Sequence, residues 1–550
     1  MTYLFSNTSS IFQSNGTAIT NSNPLAVTGN TIITGGNVNL SNLPDVSVTA
    51  FEEPLAVGIT PVIQSDAIYG LDPDDWSQST LNGGTIAVDN TSVFSVASGT
   101  SAGGYARLAT TSYMTYQPGQ GSMFRWTAAF TTTSDANAAT KNATGITNIV
   151  QNTGPIDRES GFSIGFSGVA GTKIGILHRR SANVEIRQLT VTTAPTGAQT
   201  ANVTLNGTSF SISLTASVST AYTATQIAKK LNENSTARNL WDIEACDSIV
   251  TFSYYSPGSQ AGTYSFSSSG TGTLAAGTFS QIQAGSAPID SWTYIDNWNG
   301  TVPASFDPTK LNVYGMDFRW LGAGRVRFFM EDPNTGKLTV LHTITWTKDQ
   351  TGIYPHIKNP SLRIVYRSGT TNPAITPSTN VVVRGASIFG GIQGQVVDSG
   401  MAQGYYAVNS TNRSANNLHH LLSIQNPYIR NGKVNKSSLV ILNLTMSAQG
   451  NDPSIIFIFK DPVGTSDLLV FNSLPSASAY NFAQYSVSDV TGNLSVDVPA
   501  NIQTLGINSS SQFDLRSYNL VVNPGEYVSV FFESTSIITR TAVGITWKVD

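Results

Sequence analysis

Hydrophobic and polar residues alternate along most of this 550-residue chain, and clusters of turn residues separate the alternating runs. A period of two places successive side chains on opposite faces of a strand. The pattern is clear over residues 124–130, 311–320 and 338–344, and residues 332–336, Asp-Pro-Asn-Thr-Gly, are a turn signal between two such runs. Strands at this spacing, without helices between them, predict antiparallel β-sandwich domains.

The interval 187–285 departs from this rhythm. Two alternating runs flank Asn206-Gly207, a dipeptide that favours the positive φ angles of a tight hairpin. A helix is predicted over about 223–232, and the polar Ser219 lies just upstream of it. Two further strands follow, so the interval predicts a small ββαββ module inserted into the surrounding sandwich.

The pattern divides the chain into three regions. Residues 1–50 are polar and nearly uncharged, which predicts an N-terminal anchoring arm that becomes ordered against a neighbouring subunit or against the body. Residues 51–395 predict a β-sandwich body interrupted by the module, and residues 396–550 predict a C-terminal β-sandwich. The strand-like runs of this last region are 438–444, 454–459, 468–471 and 527–532. They are strongly apolar, which predicts sheets covered on both faces, as by another subunit.

The chain contains few charged residues. Its 29 Lys and Arg and 33 Asp and Glu residues make up 11% of the sequence, where about 25% is usual. Catalysis, metal binding and nucleic-acid binding mostly require the residue types that are scarce here. The densest basic stretch, His178-Arg179-Arg180, is too short for a nucleic-acid groove. The composition therefore favours a structural or surface-recognition protein rather than an enzyme or a nucleic-acid-binding protein.

Cysteine content and hydropathy add further constraints. Cys246 is the single cysteine, which excludes an intramolecular disulfide and a cysteine-based zinc cluster and predicts a small buried residue. No run of 18 apolar residues predicts a membrane span, and the first residues lack the pattern of a secretory signal. Several Asn-X-Ser/Thr triplets occur, as chance predicts in a chain this rich in Asn, Ser and Thr.

Residue types that carry out catalysis are not arranged in recognisable motifs. No nucleophile elbow, phosphate-binding loop or dinucleotide fingerprint is present in the sequence. Histidines at a spacing typical of a triad or metal site are also lacking, and adjacent His419 and His420 would point to opposite faces of a strand. We therefore predict no catalytic, cofactor-binding or metal-binding residues. The remaining histidines are His178, His342 and His356.

Two groups of acidic residues are candidates for a metal site and a catalytic site. Asp72, Asp74 and Asp75 form a short cluster that could hold a structural Ca²⁺, although Asp-Pro-Asp is also an ordinary turn. Glycoside hydrolysis requires two carboxylates facing each other across a cleft, and Asp317 and Glu331 are the strand-borne pair that could supply them. Outward polar positions on a half-solvated sheet explain Asp317 and Glu331 equally well.

Aromatic residues suggest a surface for sugars. Trp292, Tyr294, Trp298 and Asn299 form the richest stretch in which rings and an amide could contact a glycan. The alternative is that these rings are core aromatics of a sandwich, which bury large areas.

A set of local motifs supports a family resemblance. It consists of the segments 99–108, GTSAGGYARL; 116–121, YQPGQG; 175–180, GILHRR; 185–192, EIRQLTVT; and 306–314, FDPTKLNVY. With these motifs, residues 50–395 resemble virion structural proteins (fibre, spike or minor capsid type) of large double-stranded DNA viruses and tailed phages. The resemblance implies a lectin-like jelly roll carrying a small inserted module, and it implies no catalytic residues.

Together these observations predict a non-enzymatic virion component: a vertex, spike, fibre or capsid-associated protein. Its expected partners are other virion proteins, copies of itself, with a trimer favoured, and a glycan on the host surface. A carbohydrate-active enzyme or lectin with a jelly-roll domain is the alternative. A bacterial adhesin is a third hypothesis, which would call for an export signal.

Overall fold

Strands dominate the computed structural model of this chain, and the predicted mostly-β, antiparallel fold class is confirmed. The structure describes residues 58–132, 142–270, 272–349, 354–370, 374–394, 402–410, 412–462, 469–475, 482–488, 491–492, 499–507, 509–518 and 520–549. The predicted arm at 1–50 lies outside these residues. None of the helices they contain is long and apolar enough to cross a membrane.

The body contributes two groups of strands. The first group is β1 (Ile59–Asp66), β2 (Trp76–Leu81), β3 (Thr85–Val88), β4 (Phe94–Ala97), β5 (Tyr105–Thr110), β6 (Gly121–Phe130), β7 (Ile149–Pro155), β8 (Gly161–Phe166) and β9 (Gly175–Arg179). The stretch that follows holds β10 (Val184–Thr193), β11 (Gln199–Leu205), β12 (Thr208–Leu214), α1 (Thr220–Glu233), α2 (Ser235–Leu240), β13 (Trp241–Cys246), β14 (Ile249–Pro257), β15 (Ser265–Gly270), β16 (Ala275–Ala276) and β17 (Ser280–Gln283). The second body group is β18 (Asp290–Tyr294), a 3-10 turn (Ile295–Asn297), β19 (Asn312–Phe318), β20 (Val326–Glu331), β21 (Leu338–Ile344), α3 (Trp346–Asp349), β22 (Ile364–Thr370), β23 (Val382–Gly385) and β24 (Ser387–Gln393).

The rest of the described chain forms a separate set of strands. These are β25 (Gln403–Asn409), β26 (Leu418–Gln425), β27 (Ile429–Arg430), β28 (Lys433–Val434), β29 (Leu439–Gly450), β30 (Ser454–Lys460), β31 (Asn472–Ser473), β32 (Gln484–Ser486), β33 (Thr491–Gly492), β34 (Asn501–Leu505), β35 (Ser510–Asp514), a 3-10 turn (Arg516–Tyr518), β36 (Val521–Val522), β37 (Tyr527–Ser534) and β38 (Ile538–Val549).

Two sheets build the body. One has the order β21-β20-β19-β6-β23-β4-β3, with β24 beside β6 and β1 beside β24; the other has the order β18-β9-β8-β7-β22-β5-β2. A continuous apolar core lies between them, with Phe124 and Phe318 from the first sheet and Phe162 and Tyr366 from the second. The strands β8 and β9 are buried at every position, so the second sheet is covered on both of its faces.

On the outer face of the first sheet, the sequence pattern predicts exposed polar side chains where the structure has buried ones. Asp317 is 1% exposed and Arg327 is 4% exposed, although alternation with aromatic residues predicts a solvated face there. The register of β19 and β20 places the two residues opposite each other. The Arg327 Nε donates to Asp317 Oδ1 at 2.9 Å, and Nη2 contacts Oδ2. The prediction of outward polar positions is therefore wrong for Asp317.

The inserted stretch forms its own layered unit. Its sheets have the orders β13-β14-β10-β16, with β17 also on β10, and β12-β11-β15. The predicted hairpin is confirmed, because Asn206 and Gly207 take φ angles of 50° and 84° between β11 and β12. The predicted helix is confirmed as α1, where the Ser219 hydroxyl caps the N-terminus by accepting from the Tyr222 amide at 3.2 Å.

A second helix, α2, follows α1 directly and was not predicted from the sequence. Asn234 ends α1 and begins α2: its Oδ1 accepts from the amides of Thr236 and Ala237 at 3.0 and 3.1 Å. One polar side chain at a junction therefore satisfies the amides that open a new helix.

Two further sheets form the C-terminal sandwich, with the orders β25-β38-β29-β35 and β31-β32-β26-β37-β30-β34. The predicted strand over 468–471 is wrong: the described residues 469–471 pair with no strand, and β31 begins at Asn472. Leu469 and Phe471 are buried nonetheless, because they pack with Phe459 and Phe531 on the outer face of the second sheet. Their apolar pattern reflects this packing rather than strand pairing.

The loop between β7 and β8 connects the three regions through three consecutive charged residues. Asp157 forms a buried ion pair with Lys436 of the C-terminal sandwich. Arg158 Nη2 lies 2.6 Å from Asp242 Oδ2 of the inserted module. Glu159 Oε1 accepts from the side-chain Nε2 of Gln283 at 3.2 Å, and Gln283 also belongs to the module. The loop therefore fixes both neighbours against the body.

The module and the C-terminal sandwich meet at Glu244. Its Oε2 accepts from the Tyr428 backbone amide at 2.7 Å. Burial raises the pKa of Glu244 to about 8, and the nearby Asp242 acts in the same direction while the Tyr428 amide opposes it. The folded state therefore holds a proton on Glu244 at neutral pH.

We expect replacement of Arg327 by Met to lower the free energy of unfolding by roughly 3–5 kcal/mol, because Asp317 would keep a buried carboxylate without its partner. The matched control is Lys230→Met, which removes an exposed helical ion pair with Glu233 and should change stability by less than about 0.5 kcal/mol. Urea unfolding of both variants measures the difference. Equal losses in the two variants would contradict the expectation.

Glu244→Gln is expected to change the pH dependence of stability. In the native chain the pKa of Glu244 is higher in the folded than in the unfolded state, so its stabilising contribution is lost as pH rises from about 4.5 through 8. The slope is at most about 1.4 kcal/mol per pH unit. Glutamine keeps the acceptor for the Tyr428 amide but does not titrate, so the variant should gain stability relative to the native chain as pH rises. Denaturant unfolding at pH 5, 6.5 and 8 tests this, and parallel pH profiles would refute it.

Candidate functional site

A cavity of about 500 Å³ lies between the second body sheet and the inserted module. Its floor is the outer face of β5, β22 and β7, with Arg107, Arg367 and Asn152. Its opposite wall is β14 of the module, with Tyr254 and Tyr255. The cavity exists because the module covers the outer face of the sheet incompletely.

The strand register sets the order of the floor residues. Ser79, Arg107, Arg367 and Asn152 lie side by side on four neighbouring strands. Side chains that are paired in register point to the same face of a sheet, so all four face the module. Asn152 is anchored by its Nδ2, which donates to Ser163 Oγ at 2.8 Å.

Tyr105 borders the same floor. A side chain at Gly369, the cross-strand neighbour of Tyr105, would place its Cβ 2.6 Å from the tyrosine ring. Glycine at 369 therefore lets the ring lie across the strand, where the Arg367 guanidinium sits 5.5 Å from the ring centroid. The ring and the guanidinium together form one side of the cavity.

Arg107 and Arg367 are directly opposed like charges. Burial, with a smaller effect of the positive charge of Arg363, lowers the pKa of Arg107 to about 10. Burial also lowers the pKa of Arg367, which Tyr105 partly offsets. Both side chains remain protonated at neutral pH, so the cavity floor carries two adjacent positive charges.

The other two arginines of the cavity differ, because each has a carboxylate partner. Arg158 pairs with Asp242, and its guanidinium lies 4.2 Å from the centre of the Tyr255 ring. Arg179 forms two hydrogen bonds of 2.8 Å with Asp290, its cross-strand neighbour on β18. These arginines hold the module and the edge strand in place.

Asp157 is the acidic residue on the cavity wall, and it is fully engaged. Besides Lys436, it accepts from the backbone amides of Glu159 and Ser160 at 2.6 and 2.7 Å. Burial disfavours its charge, but Lys436 and these amides hold its pKa below the usual value. A pair of free carboxylates does not line the described part of this cavity.

Of the four residues predicted to contact glycans, the structure brings two together. Trp292 and Tyr294 stack on β18 with ring centroids 6.3 Å apart and an interplanar angle of 8°. Both are half-buried on the same sheet face as the cavity. Trp292 also packs against a small apolar cluster whose members Ile156 and Val365 line the cavity. The half-buried rings therefore extend from the neighbourhood of the cavity to the sheet edge.

The other two predicted contacts have structural partners. Trp298 Nε1 donates to the Thr293 carbonyl at 2.9 Å, and its ring packs against the body core. Asn299 bonds the Thr343 backbone through both its oxygen and its nitrogen, at 2.8 and 2.9 Å. Contact of any of the four residues with a glycan stays a prediction.

The histidines lie among hydrophobic residues. His178 Nε2 bonds the His356 carbonyl at 2.6 Å, and burial lowers the pKa of the two histidines to about 4 and about 3. His419 packs on Phe532 and His420 on Phe531, which belong to the cores on the two faces of one sheet. The prediction of opposite faces is confirmed.

No group of three His, Cys, Asp or Glu side chains suited to a metal ion occurs within the described ranges.

The acidic candidates fall into turns and ion pairs. Asp72 Oδ1 accepts from the Asp74 amide at 2.9 Å, as in an ordinary turn, and Asp74 faces Lys460 at 3.8 Å. Asp317 is occupied by Arg327, while Glu331 lies four residues further along β20, so the two carboxylates do not face each other across a cleft.

Cys246 is half-buried rather than buried, which corrects the sequence-based expectation. It ends β13 at the contact with the C-terminal sandwich, 3.5 Å from Ser473 Oγ. Burial raises the pKa of its thiol to about 12, which keeps it protonated.

Comparison with known proteins gives no relative by sequence: no family model and no curated protein matches the chain. A search of solved structures gives weak matches. One is botulinum neurotoxin type C, whose penetration of cells is dependent upon interaction with two ganglioside molecules (8% identity, 87% of this chain, 97% of that chain, TM-score 0.24). Another is the binding domain of botulinum neurotoxin serotype C1 (9% identity, 87% and 98% coverage, TM-score 0.24). Similarity this weak supports no conclusion about a ligand of the present chain.

Proposed function

We propose that this chain is a non-enzymatic recognition protein that binds a glycan in the cavity between the body sheet and the inserted module. The observation that carries the proposal is the composition of the cavity wall. It presents tyrosine rings, amides and guanidinium groups, while its acidic residue, Asp157, is held in an ion pair. Such a wall can bind and orient a sugar.

The size and chemistry of the cavity fit one or two sugar rings. Ligand sites typically measure about 300–1,000 Å³, and this cavity measures about 500 Å³. Tyr105 and Tyr254 offer flat apolar surfaces for the faces of a sugar ring, and the Asn152 amide lies on the cavity floor where it can bond a hydroxyl. The stacked Trp292 and Tyr294 would extend this surface for a longer chain.

A carbohydrate-active enzyme is the competing proposal. Most glycoside hydrolases place two carboxyl groups about 5–9.5 Å apart on either side of the scissile bond. Asp157 is engaged by Lys436, and Asp317 by Arg327, so neither is available for this chemistry. The geometry therefore favours recognition without cleavage.

We further propose that the protein is a virion component that assembles with other virion proteins and with copies of itself. Support comes from the motifs shared with virion structural proteins and from the series of β-sandwich regions with few charged residues. In that setting the glycan would lie on the host surface.

Binding to an array of oligosaccharides tests the proposed function. Tyr105→Ala should weaken binding of the ligand that is found by at least tenfold, because it removes a ring from the cavity while the sheet hydrogen bonds remain. The control is Tyr406→Ala, which removes an exposed tyrosine from β25 of the C-terminal sandwich and should leave affinity unchanged. Lack of binding to any glycan would contradict the proposal, and cleavage of the bound glycan by purified protein would favour an enzyme.

Light scattering of the full chain tests the proposed self-assembly. A trimer should have about three times the 58.4 kDa of the chain at micromolar concentration. A monomer at all concentrations would contradict the predicted trimer.

A further inference from the structure

The charges around the cavity do not balance. Arg158 and Arg179 are neutralised by Asp242 and Asp290, and Asp157 is neutralised by Lys436. Two lining charges are left over, those of Arg107 and Arg367. Neither guanidinium forms an ion pair or a hydrogen bond with any residue that the structure describes.

We propose that Arg107 and Arg367 together bind an anionic group of the ligand: a carboxylate, or a sulfate or phosphate ester. The inference rests on the proposed function for the glycan that carries the group. It goes further by requiring that this glycan be acidic.

The cross-strand register explains why the two side chains suit one anion. Side chains directly opposite each other on antiparallel strands have Cβ atoms about 4.5–5.5 Å apart. Two guanidinium groups on facing strand positions can both donate hydrogen bonds to one oxyanion between them. A single anion would therefore satisfy donors that otherwise have no protein partner.

The surroundings strengthen this preference. Arg107 Nη2 and Arg367 Nε are shielded from solvent and have no hydrogen-bond acceptor among the described residues. Asn152 is next to Arg367 in the same register row and Tyr105 flanks it, so both can contact the sugar that carries the anion. A neutral sugar would leave the two positive charges uncompensated, and such charges are costly in a partly desolvated site.

Inorganic sulfate provides the first test, because it carries the charge without a sugar. At constant ionic strength, sulfate should raise the melting temperature of the full-length protein more than chloride does. In Arg107→Gln and in Arg367→Gln the apparent affinity for sulfate should fall at least tenfold. The control variant is Arg540→Gln, which removes an exposed arginine of β38 and should bind sulfate like the native chain.

The variants also separate a binding role from a structural one. Without sulfate, Arg107→Gln and Arg367→Gln should melt at or above the temperature of the native chain, because each removes a buried donor that has no acceptor among the described residues. A lower melting temperature together with unchanged sulfate affinity would show a structural role and overturn the inference.

A second experiment compares a neutral oligosaccharide with its carboxylated and sulfated counterparts. We expect the acidic forms to bind at least tenfold more tightly and to lose this advantage in Arg367→Gln. Binding of sulfate without binding of any saccharide would support the anion site and refute the glycan function. Equal binding of neutral and acidic saccharides, with no effect of sulfate, would overturn the anion site and leave the glycan function standing.

Discussion

The arrangement of the three regions depends on the charged residues of the β7–β8 loop. Asp157 pairs with Lys436 of the C-terminal sandwich, and Arg158 pairs with Asp242 of the module. Buried ion pairs contribute little net stability when intact, but the loss of one partner leaves a charge that the interior does not tolerate. Such pairs therefore fix the position of one part of the chain against another more than they strengthen it. Because the loop fixes the module over the body sheet, it also determines the shape of the cavity.

The chain has few charged residues, and several of them lie at the junctions between its regions. Several of the few acidic and basic residues are buried at the junctions between regions, among them Glu159 and Glu244, which bond the module and the C-terminal sandwich. Hydroxyl and amide side chains can cover a surface without long-range electrostatic effects. The polar groups at the junctions are specific: Asp157, Arg158 and Glu159 each lie beside a residue of opposite charge, and the protonated Glu244 accepts from a backbone amide.

The elements that the sequence predicts correctly are those whose signals are local. The Asn206-Gly207 hairpin and the helix capped by Ser219 depend on neighbouring residues, and both formed as predicted. Burial of Asp317 depends instead on what covers the far side of a sheet, which a period-two pattern does not reveal. The cavity was missed for the same reason. Arg107 and Arg367 are 260 positions apart, and only the pairing of β5 with β22 brings them together. The one signal available was that Arg107 and Arg367 each adjoin a short run of apolar residues.

The opposed arginines are best explained by what they bind, since they do not help the fold. Two like charges on facing strand positions destabilise a sheet, and apolar residues of similar size would pack there without repulsion. The chain has few charged residues, and several of those it buries have a partner of opposite charge, as in the pairs Arg158–Asp242 and Arg327–Asp317. Arg107 and Arg367 have no such partner among the described residues. They lie on the floor of a cavity large enough for a sugar. An anionic ligand supplies the opposite charge that the protein leaves out, and this makes the site selective for acidic over neutral ligands of the same shape.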